Sequence, residues 1–455
     1  MNTTNLSKIK RDKMLKTINE IKISITDENI LKNLSMIENE LTKKKYGLIW
    51  EEHEERVDKE LETKIPTFEE IKENEILLNK EEKINFLLEG DNLHCLYLLE
   101  KTHKGKVDVI YIDPPYNTGK EFIYNDNTID ENDGYRHSKW LSFMSRRLNL
   151  AKNLLSEKGV IFLSIDDYEH SQLKILCDEI FDEGNFIADF AVIRAEGGGL
   201  AKQVIKGHDY ALVYVKNIKK FKPLAKEKDI RGKIVTRNNV EYWIQEDWLR
   251  KEFGKYGNCH YEELAKYKDL KTIEEIESGL KNGKYELLKK DNGMHIIGKL
   301  RRLDEDSSKF YSILKHLNKN GVLELKKFNL EVSFDYPKPV SLIQELIKGA
   351  TFFSKMESPI ILDFFAGSGT TAQAVLNQNK LDGGNRKFIL CTNNDNNICS
   401  SITYPRIKQC ILGNKEIEAN SANLKYYKTS YISRINTETE NLHDNLLINI
   451  KNLIQ

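Results

Sequence analysis

Asp113, Pro114, Pro115 and Tyr116 close an apolar run, Val107 to Ile112, in the stretch VDVIYIDPPYNTG. The run is rich in β-branched residues, the composition of a strand buried on both faces. Pro114 and Pro115 cannot continue a ladder, and each fixes its own φ near about −65°. The backbone beyond Asp113 is therefore stiff, and its carbonyls point in set directions. Ligands of open α/β sheets sit beyond the carboxyl ends of strands. An acid, a rigid carbonyl acceptor and a flat ring thus converge where a ligand binds. A proline turn with a capping Asp is the plain alternative.

A second constellation is LDFFAGSGTTAQAV, residues 362–375. An apolar strand, Ile360 to Phe365 with Asp363 inside it, runs into Ala366, Gly367, Ser368 and Gly369, and then into a helix starting at Thr370 and Thr371. Glycines let the backbone approach a ligand, and the free N–H groups of a helix start favour a carboxylate or phosphate. The stretch lacks the Lys of a phosphate-gripping loop and the third Gly of the dinucleotide fingerprint. Taken by itself it equally fits simple packing. Gly90, Asp91 and Asn92 put another acid at a strand end, where binding a ribose or base and capping a helix are equally common uses.

These residues need elements to place them. INFLLEGD is a strand, DNLHCLYLLEK a helix and VDVIYI the next strand. WLSFMSRRLNLAKNLLSEKG is an amphipathic helix closed by Gly159. VIFLSIDD and HSQLKILCDEIF add a strand and a helix. Such alternation means parallel βαβ units. It breaks after the glycines at 197–199 and resumes at KPVSLIQELIKGA, so an α/β domain is interrupted by an insertion. The expected organisation is a helical region over 1–83, a first half over 84–195, an insertion over 196–335, a second half over 336–415 and a tail over 416–455. The charge run EEHEERVDKELE reads as a solvated face or linker.

The 455 residues carry 70 basic and 70 acidic side chains, and 40% of the chain is hydrophobic, the balance of a soluble protein with about two to four domains. No run approaches the about 18 apolar residues of a membrane helix, and the N-terminus has no signal-peptide core. Six cysteines, at 95, 177, 259, 391, 399 and 410, form no CxxC; they read as free thiols of a cytoplasmic enzyme, without a metal site. Residues 201–335 hold 29 Lys and Arg against 21 Asp and Glu, an excess of 8, which suits a polyanion as well as it suits solvation.

DPPY followed by FAGSG, with the insertion between them, resembles the beta class of DNA N6-adenine methyltransferases, S-adenosylmethionine-dependent enzymes. GDNLHCLYLLEK, HSKWLSFMSRRLNLAKNLLSEKGVIFLSIDD, GHDYALVYVKN, FDYPKPVSLI and FILCTNNDNNICSSITYPRIK are similar to modification subunits of Type III restriction systems, over roughly residues 40–430. The resemblance implies a Rossmann-like α/β methyltransferase fold, a doubly wound, mostly parallel sheet in circularly permuted motif order, with an inserted α+β target-recognition domain. It implies S-adenosylmethionine as cofactor, held by Asp91 and Asn92, by Asp363 and the turn from Phe365 through Ala366, Gly367, Ser368 and Gly369 to Thr370 and Thr371, and by Lys338. In place of the family's ribose-binding acid the sequence offers Asn393, Asn394 and then Asp395.

Asp113, Pro114, Pro115 and Tyr116 are the implied catalytic residues, acting on an adenine flipped out of double-stranded DNA. In the insertion, Lys216, Lys219, Lys220 and Arg231 are candidates for phosphates, and Asn238 and Trp243 for the groove; Asn117 joins them as a DNA-binding candidate. Residues 120–138 read as a flexible lid or as a segment disordered without DNA, and Gly197–Gly199 as a loop over the base or an ordinary turn. A helicase-nuclease subunit, a homodimer and the absence of a membrane are the implied assembly. An N4-cytosine methyltransferase, or a DNA-binding specificity subunit without catalysis, are the alternatives the motifs leave open.

Overall fold

The computed structural model describes residues 6–42, 50, 53–79, 83–118, 136–196, 203–230, 232–252, 257–303, 305–330 and 337–433. Two units divide the chain, Met1–Glu51 and Glu52–Gln455. The first is a helical hairpin of α1 (Leu6–Ser24) and α2 (Glu28–Thr42). Asp27 Oδ1 accepts the N–H groups of Asn29 and Ile30 and so starts α2, and Lys22 pairs with Glu38 at 2.6 Å.

In the second unit α3 (Arg56–Thr63), β1 (Lys64–Glu70), β2 (Ile84–Glu89), α4 (Asn92–His103), β3 (Val107–Ile112), α5 (Arg136–Leu154), β4 (Leu155–Ile165), α6 (His170–Phe181), β5 (Phe186–Ile193) and β6 (His208–Val215) follow one another. Next come β7 (Ala225–Lys226), β8 (Ile234–Arg237), β9 (Val240–Gln245), α7 (Leu264–Tyr267), α8 (Leu270–Lys281), β10 (Tyr285–Lys289), β11 (His295–Arg302), β12 (Ser308–Lys309), β13 (Ile313–Lys315) and α9 (Lys319–Lys326). The chain then forms α10 (Val340–Ala350), β14 (Ile360–Asp363), α11 (Thr370–Asp382), β15 (Lys387–Thr392), α12 (Tyr404–Leu412) and β16 (Asn423–Ser433).

A ten-stranded sheet carries the order β1-β16-β2-β15-β14-β3-β4-β6-β5-β13. Its middle, from β16 to β4, is parallel, while β1 and β6 run antiparallel to their neighbours. This is the mostly parallel α/β sheet that strand–helix alternation predicts. The unit β14–α11–β15 winds one way and β3–α5–β4 the other, so the topological switch point lies between β14 and β3. Val109 and Tyr111 of β3 face a core shared with Ile343 and Ile347 of α10, Val375 of α11 and Ile407 of α12. Side chains alternate along a strand, so Ile110 and Ile112 face the other side. There α4, α5 and α6 pack in succession.

Four details differ from the sequence expectation. Residues 64–70 are an edge strand rather than helix, and residues 423–433 are a strand between β1 and β2 rather than a tail. Helix α5 ends at Leu154, five residues before Gly159. Gly159 lies instead within β4, where a Cβ would come within 2.9 Å of the Val107 carbonyl oxygen. β6 and β13 belong to the large sheet, so the part with a sheet of its own is narrower than 196–335: it runs from β8 to β11, in the order β10-β11-β9-β8, with α7 and α8 against it. The candidate lid falls largely on residues 119–135, and Gly197–Gly199 and Arg231 join it outside the described residues.

Candidate active site

β3 delivers Asp113 at its carboxyl end, one residue past the last paired position. Asp113 Oδ1 accepts a hydrogen bond from the Tyr116 hydroxyl at 2.8 Å. Lys338, just ahead of α10, donates to the same hydroxyl and stands 3.5 Å from Asp113 Oδ1 and 3.5 Å from Asp209 Oδ2. Its ammonium also lies 4.8 Å from the centre of the Tyr116 ring. Arg194 completes the group, 3.1 Å from Asp209. Burial raises the Asp113 pKa; Lys338 and the Tyr116 bond pull against that rise, and the Asp209 charge adds to it. Lys338 thus contacts both Asp113 and Tyr116 directly. The Pro115 carbonyl accepts from the Trp140 indole at 2.7 Å. Among the described residues no hydrogen bond reaches the Pro114 carbonyl.

β14 delivers the glycine turn next door. Leu362 pairs with Ile110, so β14 and β3 run side by side in parallel and both carboxyl ends, one leading to the glycine turn and the other to Asp113, leave the sheet on the same edge. Gly367 and Gly369 have φ of 48° and 77°, values that favour glycine. The Thr403 hydroxyl donates to the Gly367 carbonyl at 2.6 Å, and Ala366 N–H to the Cys391 carbonyl at 3.1 Å. Arg406, fully buried, donates to the Ser368 carbonyl, the Ser368 hydroxyl, Thr370 Oγ1 and Gln373 Oε1. Burial lowers its pKa to about 10. Asp363 accepts from Phe365 N–H at 2.9 Å and from the Thr371 hydroxyl at 2.5 Å. Burial, with a smaller push from Asp113, raises Asp363 to about 7 despite those bonds. Asp363 therefore braces the turn from beneath, at 3% exposure.

β2 supplies the third corner. Asp91 caps α4, accepting Leu93 N–H at 2.8 Å. Asn92 donates to the Phe364 carbonyl at 2.9 Å and so stitches β2 to the glycine turn. Arg147 of α5 then holds Asn92 Oδ1 at 2.5 Å, Glu55 at 2.8 Å and Asp91 at 3.6 Å. Arg146 pairs with Asp58. The charge run before β1 is accordingly a clamp on α5, not a linker. Asp395 sits in the turn after β15 and accepts from Asn393 Nδ2 at 2.6 Å.

Most of the DNA-binding candidates lie elsewhere than their types suggest. β6 is antiparallel to β4, so Lys216, Lys219 and Lys220 emerge at the end of the sheet opposite Asp113. There Lys216 donates to the Lys152 carbonyl and Lys220 pairs with Glu157. Trp243 is buried and donates to Asp306 at 2.6 Å, as a core residue of the small sheet. Asn238, with φ of 50°, makes the tip of the β8–β9 hairpin. Asn117 turns inward, buried, onto Glu169. Sequence reasoning missed Glu55, Arg147, Glu169, Asp209 and Arg406. The adjacent arginines within an amphipathic helix were the one available signal.

Residues 107–419 match the family described as DNA methylase. The Type II methyltransferase M.KpnI of Klebsiella pneumoniae is 34% identical over 67% of this chain and 79% of its own. The EcoPI Mod subunit, a Type III restriction-modification enzyme of Escherichia phage P1, is 31% identical over 80% of this chain and 66% of its own. The StyLTI Mod subunit of Salmonella typhimurium is 32% identical over 70% and 54%. The chain thus spans about half to two thirds of these two Mod subunits. Among solved structures, the cytosine-N4-specific PvuII DNA methyltransferase aligns at 11% identity, covering 82% of this chain and 94% of its own, with a TM-score of 0.40.

The chain belongs to the DNA methylase family. It is a DNA methyltransferase that uses S-adenosylmethionine.

Proposed function

We propose that the chain methylates N6 of an adenine flipped out of duplex DNA, as the modification enzyme of a restriction-modification system. The observation that carries this reading is that Asp113 and Pro114 directly follow the end of β3, the parallel neighbour of β14, whose own end leads into the glycine turn.

The glycine turn suits the cofactor. Two positive-φ glycines leave the turn without a Cβ at 367 and 369, and the first N–H groups of α11 have no partner within the helix, which suits a carboxylate. S-adenosylmethionine, when bound, supplies the electrophilic methyl. The turn from Phe365 to Thr371 would hold its amino-acid end, with Asp91 and Asn92 beside it and Asp395 as the candidate ribose partner.

Adenine N6 is a weak nucleophile because its lone pair is delocalised into the ring. Asp113 Oδ and the Pro114 carbonyl would each accept one N6–H, which favours a pyramidal nitrogen and stabilises the positive charge that develops on it. Tyr116 would stack on the extruded base, returning about 1–3 kcal/mol of the flipping cost. Lys338 opposes the rise in the Asp113 pKa that burial causes. After transfer, Asp113 or water takes the proton.

The relatives named as Mod subunits of Type III restriction-modification enzymes support a restriction subunit as partner, proposed here to be a helicase-nuclease; a homodimer is part of the same proposal. Among the described residues no helix is long and apolar enough to cross a membrane, and a cytoplasmic site of action is part of the same reading. Mass spectrometry of nucleosides from DNA treated with the enzyme tests the proposal. N6-methyladenine is the expected product; N4-methylcytosine, or no methylated base, would overturn it.

A further inference from the structure

We infer that Glu169 is a positioning residue for methyl transfer, holding the backbone that carries the Pro114 acceptor by fastening residue 117 to residue 137. The inference rests on the proposed reading of the DPPY site.

Glu169 stands at the N-cap of α6, where an acid ordinarily accepts its own helix's N–H groups. It makes no such bond. The side chain, fully buried, points at the residues after β3 instead. Its Oε1 accepts from Asn117 Nδ2 at 2.5 Å and meets His137 Nδ1 at 2.7 Å. Asn117 Nδ2 also donates to the Arg136 carbonyl at 3.3 Å. One oxygen therefore joins the chain just after Tyr116 to the first turn of α5.

The same turn of α5 supplies Trp140, whose indole holds the Pro115 carbonyl. The backbone of Tyr116 is thus gripped on both sides, at 115 and at 117. Asn117 takes a φ of 57°, a left-handed conformation that Asn tolerates and most residues resist. Remove the hold on Asn117, and among the described residues the Trp140 bond is the one hydrogen bond to the backbone of residues 114–117. Misplacement by about 1 Å is enough to cost about 100-fold in rate.

The other oxygen, Oε2, is buried with no hydrogen-bond partner among the described residues. Such an atom is costly to keep. Both donors use Oε1, so a carboxamide serves them equally well. Burial also raises the Glu169 pKa, in the same sense as its orphaned oxygen. The work of this side chain is acceptance by one atom, not its charge.

The test compares wild type with Glu169→Ala, Glu169→Gln and Asn117→Gly; glycine keeps the positive φ while removing the side chain. Single-turnover methylation of DNA, equilibrium affinities for DNA and cofactor, and amide exchange in peptides spanning 113–118 and 136–140 are measured. Glu169→Ala and Asn117→Gly should each lower the single-turnover rate by about 10- to 100-fold and speed exchange in both peptides, with affinities within about twofold. Their combination should be no worse than either alone. Glu169→Gln should stay within about threefold of wild type in both readouts. Unchanged exchange and rate in Glu169→Ala would overturn the inference. So would a loss shared equally by Glu169→Gln, or one confined to affinity. An inactive wild type would overturn the proposed function alone, because the exchange measurements still decide the role of Glu169.

Discussion

The Tyr116 hydroxyl donates to Asp113 Oδ1 at 2.8 Å, so on the proposed reading the stacking ring already holds the carboxylate that would accept the base's amine. Lys338 holds that hydroxyl from the other side. On the proposed reading an entering adenine shares the Asp113 carboxylate with Tyr116. Tyr116→Phe removes the competing donor but keeps the stacking face, and kcat/KM should stay within about fivefold of wild type. Tyr116→Ala forfeits stacking worth about 1–3 kcal/mol, which is a loss of about 5- to 150-fold. Steady-state kinetics on one duplex distinguishes the two.

Asp363 makes stability depend on pH. Its pKa rises from an ordinary 3.8 to about 7 in the folded chain, first through burial. The folded state therefore holds this proton more tightly than the unfolded state. The stabilisation is full below pH 3.8 and is lost as pH rises to about 7. Asp363→Asn keeps an acceptor for Phe365 N–H and puts an amide donor where the Thr371 hydroxyl now donates. Urea unfolding across that window should show a falling stability for wild type, and this component should vanish in Asp363→Asn.

Arg406 ties α12 to the glycine turn through Ser368, Thr370 and Gln373. Arg406→Met leaves those buried acceptors unpaired, at a cost of about 3 kcal/mol or more. A lower urea midpoint together with weaker S-adenosylmethionine binding by calorimetry is expected. Lost stability with unchanged cofactor affinity would confine Arg406 to the core.

Lys219 and Lys220 sit at the far end of the sheet from Asp113. Lys219→Ala and Lys220→Ala should leave DNA affinity within about twofold and the salt dependence of binding unchanged. A salt slope reduced by about one per lysine would place DNA at that end.

The chemistry-bearing stretches are legible because each is local: strand, acid and prolines within VDVIYIDPPY, strand and glycines within LDFFAGSG. What the sequence hides is direction and distance. VYVKNIKK announces a strand followed by lysines, but nothing in it says that β6 runs antiparallel and carries those lysines away from the site. Trp243 looks like a groove reader until Asp306, 63 residues on, takes its indole N–H. The acids at 55 and 58 look solvated until α5 presents Arg146 and Arg147, about ninety residues later. Gly159 resembles a helix stop because glycine serves helix ends and tight strand contacts alike.

Single-turnover methylation by wild type and by Asp113→Ala tests the central claim most directly. With cofactor and DNA saturating, the account predicts N6-methyladenine from wild type and a rate lower by about 100- to 1,000-fold in Asp113→Ala, with cofactor affinity unchanged. An Asp113→Ala chain that methylates adenine at the wild-type rate would contradict it.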